Sequence, residues 1–109
     1  MAVTNASGNG EPVDPVLIVR SYLATAIQIG APVYNSGDPR GCYEVYACTA
    51  RMLLKVMQGA DSAKEVLKES LEWSSVIGDV NEQAWIMRRA FDAELAGGAG
   101  EAAARTDAP

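Results

Sequence analysis

Tyr34-Asn35-Ser36-Gly37-Asp38-Pro39-Arg40-Gly41-Cys42-Tyr43-Glu44-Val45-Tyr46 carries the local chemistry of a helix end, a tight turn and a new helix start. Gly37 can take the left-handed conformation that closes a helix. Asp38 can accept hydrogen bonds from the first free N–H groups of the next helix. Pro39 fits the first helical position, where its missing N–H costs nothing. A turn this short returns the chain antiparallel to itself.

The same Asp-Pro signal at Asp14-Pro15 opens the first helix. Val16, Val19, Leu23, Ala26, Ile27 and Gly30 follow it at helical spacing. Pro32 removes one backbone hydrogen bond and crowds the carbonyl four residues back. The helix therefore either ends near Ile29 or runs on with a kink through Tyr34. The second helix runs from Pro39 to about Met57, with an apolar stripe of Cys42, Val45, Tyr46, Thr49, Met52, Leu53 and Val56. Gly59 follows it. The third begins at Asp61 or Ser62, where Ser62 and Glu65 have the spacing of a capping box. Its inward positions are Ala63, Val66, Leu67, Ser70, Leu71, Ser74 and Ile77, and Gly78 stops it. The fourth is capped by Asp79, with Glu82 three residues on. Ala84, Met87, Ala90, Phe91 and Leu95 point inward, Trp85 and Ile86 widen the apolar arc, and Gly97-Gly98 ends the helix.

No run shows the period-two alternation of a strand. Four helices with short connections predict an all-α, antiparallel up-down four-helix bundle over residues 14–95, with the first helix open to a kink at Pro32. Residues 1–13 and 96–109 are poor in large apolar side chains and are expected to be disordered tails. The 109 residues suit one domain. About 80 residues remain for a core, a size that buries only around 60–65% of its unfolded surface. Such a domain is either a tight bundle or a subunit that completes its core against a partner.

The net charge of -5 and the absence of a basic run argue against nucleic acid, which requires clustered Lys and Arg. No stretch is read as a membrane span of roughly 18–20 apolar residues, and no secretory leader is visible. The expected compartment is cytoplasmic. Cys42 and Cys48 lie six residues apart on different helix faces, and the chain has no His, so neither a disulfide nor a usual zinc set is expected. The carboxylates form no calcium loop, and no Glu-x-x-His pair exists. Gly97-Gly98-Ala99-Gly100 follows a helix and leads into no Gly-Lys-Ser/Thr. No cofactor and no metal are expected.

The run from Ala26 to Leu54 resembles a tetratricopeptide-like helical hairpin. Tyr34-Asn35-Ser36-Gly37-Asp38 matches the Tyr-x-x-Gly-Asp that ends the family's first helix, and Tyr46 with Ala50-Arg51-Met52-Leu53 matches its second. There is no second copy at the 34-residue period of such arrays. Ala84-Trp85-Ile86-Met87-Arg88-Arg89-Ala90-Phe91-Asp92, with Tyr34–Tyr46, also resembles a small helical domain of unknown function in bacterial proteins, which brings no activity with it.

Four groups of residues are candidates for function. Cys42 sits one turn into a helix, where the macrodipole lowers a thiol pKa, but the chain offers no His to activate it; it equally suits a small buried hydrophobe. No enzyme is expected. Tyr34, Asn35, Cys42, Tyr43 and Tyr46 surround the first turn and could line a pocket for a flat small molecule. Trp73, Trp85, Ile86 and Arg89 combine the residue types that dominate binding hot spots, and the fourth helix carries more apolar surface than one face needs; the alternative is that Trp73 and Trp85 pack on each other. Arg20, within an apolar helix, is expected to pair with Asp92 or Glu94. The leading functional expectation is a noncatalytic protein-interaction module, self-associating or docking on a larger partner. The alternative is a small-molecule binding or sensing domain.

Overall fold

A computed structural model describes residues 13–97. They form four helices: α1 (Pro15–Asn35), α2 (Pro39–Val56), α3 (Asp61–Ser75) and α4 (Val80–Leu95). No strand occurs among the described residues. α2 packs on all three other helices, and α4 packs on α1 and α3 as well. α2 and α4 thus form the diagonal of an antiparallel four-helix bundle. The expected tails lie outside the described residues except for Val13, which is exposed, and Ala96 and Gly97, which close α4.

The Asp-Pro openings form as expected. Asp14 accepts from the Val16 N–H at 3.0 Å, and Asp38 accepts from the Gly41 N–H at 2.9 Å. Gly37, at φ 101°, turns the chain between α1 and α2. Asp79 caps α4 through the Asn81 N–H at 3.4 Å.

α1 continues through Pro32 to Asn35, so of the two expected courses it takes the longer. Pro32 lies on the exposed side and near the end, where the one lost hydrogen bond is tolerated. The last turn is then secured twice. The Ser36 N–H donates to the Pro32 carbonyl at 3.0 Å, and the Tyr34 hydroxyl donates to Asn81 at the start of α4 at 2.6 Å.

Other expectations require correction. α3 starts at Asp61, the first of the two expected positions, but the Ser62–Glu65 capping box does not form: Ala60 is the N-cap, in the left-handed region (φ 54°), with no side-chain cap. Lys64 helps hold this junction by donating to the Met57 carbonyl at 2.8 Å. α3 ends at Ser75, before Ile77, and the Ser74 carbonyl accepts from both the Ile77 N–H at 3.2 Å and the Gln83 side chain of α4 at 2.9 Å. The stripe expected for α2 is rotated. Tyr43, Ala47 and Ala50 are buried with Cys42, Tyr46 and Leu53, whereas Val45, Thr49 and Met52 are half-buried and Val56 is exposed. A helix that meets three neighbours buries more than one face, and its alanines permit the close approach. α1 is also long and apolar enough to span a membrane by length and composition alone, contrary to the sequence reading; its Val19–Leu23–Ala26–Gly30 stripe is buried in the bundle.

Candidate functional site

Cys42, Tyr43 and Tyr46 belong to the core, and the side chains of the expected small-molecule pocket diverge. The Tyr43 hydroxyl shares a 2.9 Å hydrogen bond with the Ser74 hydroxyl of α3. Tyr46 points the other way. Its ring lies against Phe91 of α4, centroids 5.1 Å apart and planes tilted by 52°. The opposite edge faces Gly30, where a Cβ would lie 2.6 Å from the ring. Tyr34 is tied to Asn81, and Asn35 is exposed. The five residues named for that pocket therefore serve three different helix junctions.

A buried polar network joins α2 to α4. Arg88 Nε donates to Asp92 Oδ1 at 2.9 Å, and Arg88 and Cys42 are both hydrogen-bonded to the Tyr46 side chain. Asp92 Oδ2 is buried with no protein partner. Burial raises the Tyr46 pKa, and the neighbouring Cys42 adds to the rise. Burial likewise raises that of Cys42, outweighing the lowering effects of Tyr46 and Arg88. The thiol at the start of α2 is therefore held protonated, the opposite of what the helix dipole alone implies. Arg88, one position before the Arg89 of the expected surface cluster, is a core residue.

Arg20 does not pair with either expected carboxylate. Its Nε donates to the Glu94 main-chain carbonyl at 3.0 Å, which also accepts from the Gly97 N–H at 3.1 Å at the end of α4. The Asp92 carboxylate is taken by Arg88 instead.

The other expected cluster forms an open groove between α3 and α4. Val66, Glu69, Ser70 and Trp73 supply one wall and Ile86, Arg89 and Ala90 the other, around a cavity of about 280 Å³. The walls follow from helical periodicity. Positions 66, 70 and 73 share a face of α3, as do 86, 89 and 90 on α4. Trp73 is 59% exposed, whereas Ile86 is buried at the groove floor. Trp85 stands apart from this lining. It is half-buried, and the Arg89 guanidinium lies over its ring at 6.0 Å. Arg89 also faces Glu82 at 3.9 Å, an exposed pair that adds little energy. The groove thus brings together Trp73, Ile86 and Arg89, with Trp85 reached through Arg89. Val66, Glu69, Ser70 and Ala90 were not singled out as site residues from sequence; their helical register with Trp73 and Ile86 is the signal that finds them.

No family model, curated protein or solved structure matches this chain.

Proposed function

We infer that this protein is a noncatalytic helical interaction module whose docking surface is the α3–α4 groove. The observation that carries this reading is Trp73, an indole more than half exposed at the mouth of a groove walled by Val66, Ile86 and Ala90. Exposed Trp at an apolar depression is costly to leave in water and is typical of a partner's anchor point. The cavity, at about 280 Å³, sits at the lower end of the ~300–1,000 Å³ of small-molecule sites and is open to solvent along the groove. It suits one large apolar side chain from a partner helix better than a complete ligand. Glu69 and Arg89 at its rim offer one acceptor and one donor to orient such a helix.

Site-specific photo-cross-linking in the source cells tests the proposal. A benzoylphenylalanine at position 73 is expected to capture a discrete protein, and one at exposed Glu44 on α2 is not. Purified, that protein should bind the wild-type chain and lose at least tenfold in affinity to Ile86→Asp. Equal capture from both positions, or none from position 73, overturns the reading.

A further inference from the structure

The helices fall into two hairpins, α1–α2 and α3–α4, and the contacts that tie the molecule together run between them. Tyr46 packs on Phe91, and the Tyr43 hydroxyl is hydrogen-bonded to that of Ser74. The Tyr34 hydroxyl donates to Asn81, and Arg20 donates to the Glu94 carbonyl. Arg88 bonds to the Tyr46 side chain. Neither hairpin makes these contacts by itself. The link that joins them is Met57–Ala60, between the end of α2 and the start of α3.

That link holds an unfavourable backbone. Gly59 has φ 85°, and Ala60 has φ 54°, the one positive φ of a non-glycine residue among the described residues. For a residue with a Cβ, the left-handed region costs roughly five- to thirtyfold in an equilibrium constant. No side-chain cap on α3 offsets the cost at Ala60. Lys64 clasps the turn by donating to the Met57 carbonyl at 2.8 Å. The strain comes from returning α3 alongside α2 within so short a link.

We propose that Met57–Ala60 is a hinge through which two copies of this chain exchange their α3–α4 hairpins. Extended, the link spans about 13 Å, enough to carry α3 across to an adjacent copy. Ala60 then leaves the left-handed region for an ordinary N-cap backbone such as that of Asp14, at φ -62°. Each α3–α4 hairpin packs on α1–α2 of the other copy, and every contact named above is remade between chains. The exchanged dimer differs from two closed monomers chiefly at the hinge, where two strained residues are relieved. It needs no complementary outer surface. The net charge of -5 opposes bringing two copies together, so the dimer forms at high protein concentration and high salt. The groove lies within α3–α4 and moves with it, so the exchanged dimer carries two grooves on one particle.

The test is to unfold the full chain in urea, refold it in high salt at micromolar and at millimolar concentration, and measure mass by light scattering after chromatography. At millimolar concentration the wild type should yield a species of twice 11.5 kDa. Isolated and diluted, that dimer should persist for hours, because reversion requires the core between the hairpins to open. Ala60→Gly removes the strain of the closed form and should lower the dimer constant by about a hundredfold, about tenfold for each copy. Ala60→Pro cannot adopt a positive φ and should refold chiefly as the dimer. Where Ala60→Pro does not fold, Ala60→Gly decides, since it relaxes the native backbone. Trp73→Ala should leave the distribution unchanged, which separates the hinge from docking at the groove. A wild type that refolds only as monomer at millimolar concentration overturns the proposal. So does a dimer that reverts within minutes of dilution, one that Ala60→Gly leaves as abundant, one that Trp73→Ala abolishes, or a folded, monomeric Ala60→Pro.

Discussion

Three helices converge on Tyr46. It is fully buried, its ring packs on Phe91, its edge rests on Gly30, and its side chain bonds to Cys42 and Arg88. Gly30→Ala should destabilise the bundle by ~1–3 kcal/mol, since α1 and α2 must separate to admit the methyl group. Urea unfolding checks it. Tyr46→Phe keeps the packing and loses the hydroxyl, at a cost of about 1 kcal/mol. That variant also carries a pH signature. The Tyr46 and Cys42 pKa values are both raised in the fold, from ordinary values of 10.0 and 9.0. The unfolded chain therefore releases these protons first as pH rises. Their stabilising contribution is full below about pH 9 and is lost progressively above it. The urea midpoint should fall between roughly pH 9 and 11, and Tyr46→Phe should flatten the upper part of that fall. The Arg88–Asp92 pair is the other costly element of the core. Asp92→Ala strands a buried guanidinium and should cost ~3–5 kcal/mol. The double variant Arg88→Met/Asp92→Leu should recover most of that loss in the same assay. Without that recovery, the desolvation account of the pair is wrong.

The helix ends separate what is local from what is not. Asp14, Asp38 and Asp79 are legible as caps because a carboxylate two or three residues before a free N–H acts without tertiary help. α3 is different. Ser62 has the right chemistry two positions too late, because the chain enters the helix through Ala60 in the left-handed region. Asp38→Ala should cost about 1 kcal/mol and Ser62→Ala less than about 0.5 kcal/mol in thermal melts. Comparable losses would mean that the α3 junction is capped by Ser62 after all. The length of α1 was also beyond local chemistry, since the contact of Tyr34 with Asn81 of α4 helps carry it past Pro32. Arg88 and Arg89 show the same limit for the candidate site. They differ by about 100° around the helix, enough to put one in the core and one at the groove. Apolar excess on α4 pointed to the right helix, but only the packing of α2 fixed its rotation. Trp73 could not be placed from sequence, because its exposure depends on how far α3 and α4 splay.

At the scale of the molecule, the α2–α4 diagonal holds the core and the outer helices carry what is left exposed. α1 presents Leu17, Tyr22 and Ile29. α3 presents Lys64, Glu65, Lys68, Glu69 and Glu72, with Trp73 among them. In this arrangement the fold does not depend on Trp73, although a partner would. The most direct measurement is therefore made on Trp73→Ala, as an unfolding free energy set beside an affinity for the protein captured at position 73. Stability should stay within about 0.5 kcal/mol of wild type while affinity falls at least tenfold. A variant that unfolds, or one that binds as tightly as wild type, would contradict a docking role for the groove.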